Sequence, residues 1–209
     1  MKLYGSLTSP YVRKIRILLK EKNIPCEFIV EDPWSDKTVG AAKNPLGKVP
    51  VLVTDHDKLL YDSALIAEYL DSLGGERLIP ANGEERWDVL RWHVLGHGII
   101  DAVVTRLFET RRPLEQQSAK VISRQEDKVA RALDVADHTE KGRAYLIGNR
   151  FSFADLALGL ALEYIDFRYP HDWRSAHPRL AQWLAGISRR ASFAETLPPG
   201  MERALDAPH

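Results

Sequence analysis

Apolar residues in the first third of the chain recur at spacings that alternate between those of strands and those of helices. Residues 2–4 are short and strand-like, and 26–30 are a second strand candidate. Between them, 10–22 carries apolar side chains at helical spacing, with Lys and Arg on the other face, which predicts an amphipathic helix. Two short apolar runs at 51–54 and 58–61, joined by a polar turn, predict a hairpin. The alternation indicates an α/β unit.

The rest of the chain has helical periodicity and essentially no strand pattern. Residues 63–73 are a predicted helix closed by a Gly-Gly pair. The segment 32–44, broken up by Pro and Gly, predicts a short helix between loops. Further helices are predicted at 84–111, 114–141, 153–167 and 177–190.

The strand signal ends before the segment 80–83, Pro-Ala-Asn-Gly, which is typical of a linker. We therefore predict a first domain over 1–77, a linker over 78–83 and an all-helical domain over 84–209. A chain of 209 residues is long enough for two such domains, each with a core of its own.

Composition narrows the class of protein. Hydrophobic residues make up 44% of the chain and charged residues 28%, as in ordinary globular proteins. Because 29 Lys and Arg balance 29 Asp and Glu, the overall charge favours neither nucleic acid nor an anionic membrane as a partner. A single Cys excludes an internal disulfide and a multi-Cys metal site. With no signal-peptide pattern and no apolar run near the roughly 18–20 residues that span a bilayer, we expect a soluble, cytoplasmic protein.

The segment 44–53, Asn-Pro-Leu-Gly-Lys-Val-Pro-Val-Leu-Val, brings a proline to the start of an apolar strand. Proline has no N–H for a sheet ladder, so Pro50 needs a special reason to be there. A cis Val49–Pro50 bond is one, because it turns the Val49 backbone N–H and C=O towards a ligand. Beyond the hairpin, Asp62 and Ser63 place a carboxylate and a hydroxyl beside the free N–H groups of a new helix, which suits an amino-acid head group. Simpler interpretations fit the same residues: Val49 and Pro50 can begin an ordinary edge strand, and Asp62 and Ser63 can only cap the helix.

Ser9 precedes Pro10 at the start of the first predicted helix, a pattern typical of an N-cap serine. Capping alone accounts for the pattern. A serine hydroxyl has one donor and two acceptor lone pairs, so Ser9 can also cap the helix and still donate its proton to a ligand.

Together these motifs resemble the glutathione-binding half of the thioredoxin-like domain in cytosolic glutathione transferases, with a Val-Pro, a strand pair and an acid-Ser pair opening the third helix. The resemblance covers most of the chain. It implies an α/β plus all-α fold, in which a thioredoxin-like βαβ-α-ββα domain precedes a helical bundle. The loop Ser9-Pro10-Tyr11 is similar to that of bacterial members with Ser in this loop and of the omega class, which has Cys before the Pro.

The resemblance implies that Ser9 is catalytic and donates a hydrogen bond to the glutathione sulfur. Together with the positive end of the helix, that bond would stabilise the thiolate relative to the thiol by about 1–3 kcal/mol. Each unit by which the thiol pKa falls needs about 1.4 kcal/mol. Ser6 and Thr8 are rivals for this role, and Tyr4 and Tyr11 are weaker ones.

The other implied glutathione contacts follow the motifs along the chain. Val49 and Pro50 would bind the cysteinyl part through the backbone, and Asp62 and Ser63 would hold the γ-glutamyl amine and carboxylate. A lysine would pair with the glycyl carboxylate, the candidates being Lys37 and Lys48. Glutathione is then the co-substrate, and the helical half binds a small electrophile. The resemblance also implies a homodimer. No metal cofactor is expected, and neither nucleic acid nor a membrane is expected as a partner.

The implied activity is that of a glutathione transferase, in which a stabilised thiolate attacks the electrophile. Because a Ser9 hydroxyl cannot form a mixed disulfide with glutathione, conjugation or isomerisation is favoured over thiol-transfer or dehydroascorbate-type reduction. One alternative is a non-catalytic scaffold of the same fold that serves a stress response or transcription. Another is a maleylacetoacetate-isomerase-like enzyme, although that class's Ser-Ser-Cys loop is missing here.

Two further features have simple structural interpretations. Ser152 and Asp155 are spaced as a capping box that begins an apolar helix. Cys26, at the start of a predicted strand, is interpreted as a buried small hydrophobe.

The long helix after residue 84 carries two groups of polar side chains. His93, His97 and Asp101 share one face, but Val94 breaks the HExxH pattern, so a polar stripe at solvent or a subunit interface is favoured over a metal site. Three arginines near its end either face solvent or border the electrophile pocket, where they would favour acidic or polar co-substrates. They are Arg106, Arg111 and Arg112.

Overall fold

The computed structural model describes residues 1–31, 42–140 and 142–201. Its strands are β1 (Lys2–Gly5), β2 (Glu27–Val30), β3 (Val51–Val53) and β4 (Leu59–Tyr61). Its helices are α1 (Pro10–Glu21), α2 (Ser63–Ser72), α3 (Glu84–Thr110), α4 (Ala119–Glu140), α5 (Phe153–Arg168), α6 (Pro178–Ser188) and α7 (Ala191–Ala194), with a 3-10 turn at Leu114–Gln116. The predicted fold class is confirmed. The short helix predicted at 32–44 falls mainly on 32–41, outside the described residues.

The chain divides into two compact units. The first comprises residues 1–79 and the described residues after 190, and the second is Pro80–Arg190. This division differs from the predicted second domain, 84–209, because 191–201 pack with the first unit, where α7 lies against α1. The Arg13 guanidinium holds them there, since it donates to the Phe193 carbonyl at 3.1 Å and to the Thr196 hydroxyl at 3.4 Å.

The sheet of the first unit has the strand order β2-β1-β3-β4. β1 runs parallel to β2 and antiparallel to β3, and β3 and β4 form the predicted hairpin. Leu3 pairs with Leu52, and Leu52 with Leu60, so three buried leucines share one face of the sheet. At the end of β1, a Cβ on Gly5 would lie 2.4 Å from Val12 Cγ2 of α1. Glycine therefore lets β1 and α1 approach closely, which positions the loop between them.

Helix α1 is less simply amphipathic than predicted. Arg13 and Lys14 were expected on its polar face, but both side chains are buried. Burying a cation costs free energy unless hydrogen-bond acceptors replace the lost water. Arg13 finds its acceptors near α7, and Lys14 Nζ donates to Ser63 Oγ at 3.2 Å. The prediction that these two side chains face solvent was wrong, because hydrogen-bond acceptors from distant parts of the chain compensate their buried charges.

A buried ion pair closes the first unit. Lys22 Nζ lies 3.2 Å from the Asp71 carboxylate, and both side chains are only 2% exposed. The same carboxylate accepts the backbone N–H groups of Leu78 at 2.9 Å and Ile79 at 3.1 Å. Because the pair fixes residues beyond α2, the first unit extends to Ile79.

The second unit is built around α5. Residues 153–165 of this helix are all buried, as its apolar pattern predicts, and α3 packs along it. A Cβ on Gly96 of α3 would lie 2.5 Å from the Ala157 backbone oxygen, so glycine permits this close approach. The helix predicted over 114–141 begins only at Ala119, after the 3-10 turn. None of the described helices has the length and apolar character needed to cross a bilayer.

The predicted capping box at the start of α5 is confirmed. One carboxylate oxygen of Asp155 accepts the backbone N–H and the hydroxyl of Ser152, both at 2.8 Å, and the other accepts the Leu146 N–H at 2.8 Å. Burial raises the pKa of Asp155 above its ordinary value, and the donors on Leu146 and Ser152 oppose that shift. Asp155 thus joins the helix to the loop before it as well as capping it.

Candidate functional site

The strand register brings three loop segments together at one end of the sheet. Tyr4 of β1 lies opposite Val51 of β3, and Val51 lies opposite Tyr61 of β4. In antiparallel pairs, the residues after Tyr4, before Val51 and after Tyr61 must lie at the same end. The segments gathered there are 6–9, Val49–Pro50 and Asp62–Ser63.

Ser9 lies at the N-cap of α1. Ser9 is half-buried, and its hydroxyl oxygen accepts the Val12 backbone N–H at 3.4 Å. Among the described residues no acceptor takes the Ser9 hydroxyl hydrogen, so this hydrogen can be donated to a ligand. The N-terminal N–H groups of α1 also give this end of the helix a positive partial charge. The position therefore favours a negatively charged atom.

The two rival hydroxyls, Ser6 and Thr8, lie close to Ser9 but bond to each other. Their side-chain oxygens are 3.2 Å apart, and the Thr8 backbone N–H also donates to the Ser6 hydroxyl oxygen at 3.3 Å. Among the residues that the structure describes, the Ser9 hydroxyl bonds only to the helix cap. This difference favours Ser9 over its neighbours as a donor to a ligand.

The predicted cis bond between Val49 and Pro50 is confirmed. Pro50 is buried at the entrance of β3, whereas Val49 is half-buried. The preceding loop is held by Asn44, whose side chain donates to the Lys48 carbonyl at 2.8 Å and accepts the Leu46 N–H at 2.9 Å. From the sequence alone, Asn44 is only the first residue of the segment 44–53. Its buried amide fixes the approach to the cis bond.

Asp62 caps α2, with its carboxylate accepting the Ala64 N–H at 2.7 Å. Its backbone has φ 73° and ψ 125°, a left-handed conformation that non-glycine residues rarely adopt. Such a conformation persists where its surroundings impose it, and functional sites are where it is often found. The carboxylate is exposed and can accept a cationic group of a ligand as well as capping the helix.

Ser63 is the first residue of α2, and it is bonded to a buried cation that the sequence analysis missed. Ser63 is 3% exposed and Lys14 is fully buried, with 3.2 Å between Lys14 Nζ and Ser63 Oγ. Since Lys14 occupies an acceptor position of this hydroxyl, Ser63 keeps its own hydrogen to donate. The Lys14 charge adds to the positive end of α2, so the site suits a carboxylate.

The structure describes one of the two lysines predicted to pair with the glycyl carboxylate. The Lys48 side chain is exposed on the loop before the cis bond. Lys37 lies outside the described residues. A contact of either lysine with a ligand stays a prediction.

The histidine group of α3 differs from the prediction. His93 is only 7% exposed and packs edge-to-face on Phe153 of α5, with 4.9 Å between ring centroids. It was expected at solvent or a subunit interface, but its ring fills the contact between two helices. His97 lies 3.6 Å from Asp101. Within 1–31, 42–140 and 142–201, no three or more His, Cys, Asp or Glu residues form a group suited to a metal ion.

Cys26 is half-buried rather than fully buried as predicted, because it lies at an edge of the sheet just before β2. Desolvation raises the pKa of its thiol above the ordinary value. The neutral thiol is therefore favoured, and Cys26 makes a poor nucleophile.

Comparison with known proteins identifies both units. Residues 3–77 match the family model of the glutathione S-transferase N-terminal domain, and residues 119–186 match that of the C-terminal domain. The chain is 38% identical over 206 residues to the uncharacterized GST-like protein YibF of Escherichia coli, covering 95% of this chain and 99% of that protein. It is 30% identical to glutathione S-transferase 3 of Zea mays, over 94% and 93% of the two chains.

A solved structure with similar architecture contains bound glutathione. It is a glutathione S-transferase from Methylobacillus flagellatus with glutathione bound. The two chains superpose with a TM-score of 0.91 at 39% identity, over 94% of this chain and 98% of the other.

Proposed function

Because the chain belongs to the glutathione S-transferase family, we propose that it is a glutathione transferase that activates the glutathione thiolate for attack on a small electrophile. The observation that carries this proposal is the convergence of Ser9, the cis Val49–Pro50 bond and Asp62–Ser63 at one end of the sheet. Each segment offers a different kind of contact, and the three together match the three chemical parts of a γ-glutamyl-cysteinyl ligand.

The γ-glutamyl head group carries an ammonium and a carboxylate. The carboxylate binds at the start of α2, where it accepts the free N–H groups and the Ser63 hydroxyl, with the Lys14 charge behind them. The exposed Asp62 carboxylate accepts the ammonium. The cysteinyl backbone pairs with the N–H and C=O of Val49 as an added strand would. Lys48 is proposed for the glycyl carboxylate.

Ser9 acts on the sulfur. Its hydroxyl donates to the thiolate, and the N-terminal partial charge of α1 attracts the same negative atom. Neither group changes covalently. The thiolate then attacks an electrophilic carbon, so that a C–S bond forms while a leaving group departs with its bonding electrons or a proton adds to the neighbouring carbon. Since a hydroxyl cannot exchange with a disulfide, the Ser-type loop points to conjugation or isomerisation.

A homodimer and a cytoplasmic location are further parts of the proposal. They rest on the family, and symmetric dimers are the commonest oligomers of soluble proteins.

Conjugation of chlorodinitrobenzene tests the function directly. In this reaction the sulfur replaces chloride on the aromatic ring, and chloride leaves with the bonding pair. We expect kcat/KM with glutathione to exceed that with cysteinylglycine, which lacks the γ-glutamyl group, by roughly 10–100-fold, because one or two charge-assisted contacts are lost. Equal kcat/KM with both thiols would contradict the proposed γ-glutamyl contacts, and no acceleration over the uncatalysed reaction would favour the scaffold interpretation instead.

A further inference from the structure

A cavity of about 360 Å³ lies within the second unit, between the loop that follows α4 and one face of α6. The loop contributes residues 142–145, among them Arg143 and Tyr145. From α6 and the turn after it come residues spaced three or four positions apart, as on one face of a helix. They are Arg179, Trp183, Gly186 and Arg190. All of these residues lie in Pro80–Arg190, so the cavity belongs to one compact unit.

The cavity carries positive charge. Three guanidinium groups line it, and no Asp or Glu is among the described residues that do so. Asp137, from outside the lining, pairs with one of them, Arg179, at 2.9 Å. Arg143 is exposed and pairs with no carboxylate among the described residues. The cavity therefore favours an anion as its ligand.

The arginines near the end of α3 differ from Arg143, because acids of the same unit meet their charges. Arg106 pairs with Glu126 at 2.7 Å, and Arg112 lies 3.5 Å from the Glu109 carboxylate. These two arginines, predicted either to face solvent or to border a pocket for acidic ligands, thus have acidic partners within the protein. They attract a further anion less than Arg143 does.

Phe151 joins the two walls of the cavity. The guanidinium carbon of Arg190 lies 3.9 Å from the centroid of the Phe151 ring, and the Tyr145 ring packs edge-to-face on the same ring with 6.4 Å between centroids. The loop after α4 and the end of α6 are therefore held together through one ring. A cation held on an aromatic ring loses less side-chain freedom when it binds a ligand than a freely moving cation does.

Two features of α6 indicate that the cavity admits a ligand. Trp183 is 5% exposed, and its buried Nε1–H has no hydrogen-bond acceptor among the described residues. Such a donor costs free energy until an acceptor reaches it. Gly186 lies within α6, where glycine is less favourable than alanine, yet a Cβ there would have no atom within 4 Å. Packing therefore does not require glycine at this position, and the missing side chain keeps the cavity open.

We propose that this cavity binds a phosphate monoester, whose phosphate is held by Arg143 and Arg190 while its small organic group occupies the space beside Tyr145. Such a phosphate carries about 1.5–2 negative charges near neutral pH and has three terminal oxygens, which suits a wall of several guanidinium groups. A carboxylate has one charge and two oxygens, and a single guanidinium can bind both. The inference goes beyond the proposed function and does not depend on it, since none of these residues belongs to the glutathione motifs.

Calorimetric titration of the full chain with phenyl phosphate, inorganic phosphate and benzoate tests this site, at about pH 8, where the phosphates are dianions. Glutathione is left out, because its carboxylates would compete. We expect phenyl phosphate to bind saturably and about tenfold more tightly than benzoate, since the second charge and the third oxygen add charge-assisted hydrogen bonds. It should bind about threefold or more tightly than inorganic phosphate, because its ring is buried in the cavity. Equal affinity for the two phosphates would overturn the ester, and no saturable binding of either would overturn the site.

Three variants locate the binding. Arg143→Gln replaces an exposed residue and should weaken phenyl phosphate binding about tenfold. Gly186→Leu keeps every arginine and improves the helix propensity of α6, but its side chain fills the cavity and should abolish binding. Arg189→Gln is the matched control, because it removes an equal charge at the exposed C-cap of α6, outside the cavity, and should bind as wild type does. Undiminished binding in Gly186→Leu, or equal weakening in Arg189→Gln, would show that diffuse surface charge holds the phosphate and would overturn the proposal.

Discussion

Replacing Ser9 by alanine is expected to raise the pKa of protein-bound glutathione by about 1 unit and to lower kcat near neutral pH about tenfold. The hydroxyl that caps α1 would otherwise donate to the sulfur, and a hydrogen bond to a charged group contributes about 1.5–3 kcal/mol. One pKa unit corresponds to about 1.4 kcal/mol. Since the variant's thiol has the higher pKa, its rate should recover as pH rises through that pKa. Thiolate absorbance in a pH titration of the complex measures the shift.

Two controls separate this role from capping. Ser9→Thr keeps both the cap and a hydroxyl, so it should keep most of the activity. Thr8→Ala removes the neighbouring hydroxyl, which lies 3.2 Å from Ser6 Oγ, and should leave the thiolate titration unchanged. An unaltered titration in Ser9→Ala would contradict the assignment, and a shift in Thr8→Ala would transfer the role to Thr8.

Replacing Asp155 by alanine is expected to lower the free energy of unfolding by about 3–4 kcal/mol. A helix cap alone contributes about 1 kcal/mol. Here the carboxylate is fully buried and also accepts the Leu146 N–H, so its removal leaves donors on two segments without acceptors. Each unsatisfied buried donor costs about 1–3 kcal/mol. Urea denaturation of the purified variant measures the loss.

Asp155→Asn is the matched control, because it keeps one acceptor oxygen and should lose about half as much stability. Asp155 lies in the second unit, so the folded variant should bind glutathione with unchanged affinity. A loss of about 1 kcal/mol or less in Asp155→Ala would mean that the residue only caps α5.

Much of the fold was predictable because its determinants are local in the sequence. The hairpin, the helix starts at Ser9 and Asp62, and the Ser152–Asp155 box each depend on residues within a few positions of one another. The packing of 191–201 on the first unit was not predictable, since it depends on Arg13, far away in the chain.

The candidate site was predictable to the extent that motifs carry it. Pro50 at a strand entrance predicted the cis bond, and Asp62 and Ser63 predicted the start of α2. Lys14 was missed because a lysine in an amphipathic helix indicates a solvent-exposed face. Only the fold brings Ser63 to it, 49 positions along the chain.

The central claim is that the start of α2 holds the γ-glutamyl group of glutathione, and calorimetric titration of glutathione into wild type, Ser63→Ala and Ser72→Ala tests it most directly. Ser72 lies on the same helix, but its exposed hydroxyl donates to the Tyr69 carbonyl at 2.7 Å. We predict saturable binding to wild type and Ser72→Ala, and binding about tenfold weaker to Ser63→Ala, because a donor to the carboxylate is lost. Absence of binding to wild type, or equal affinity in all three proteins, would contradict the account.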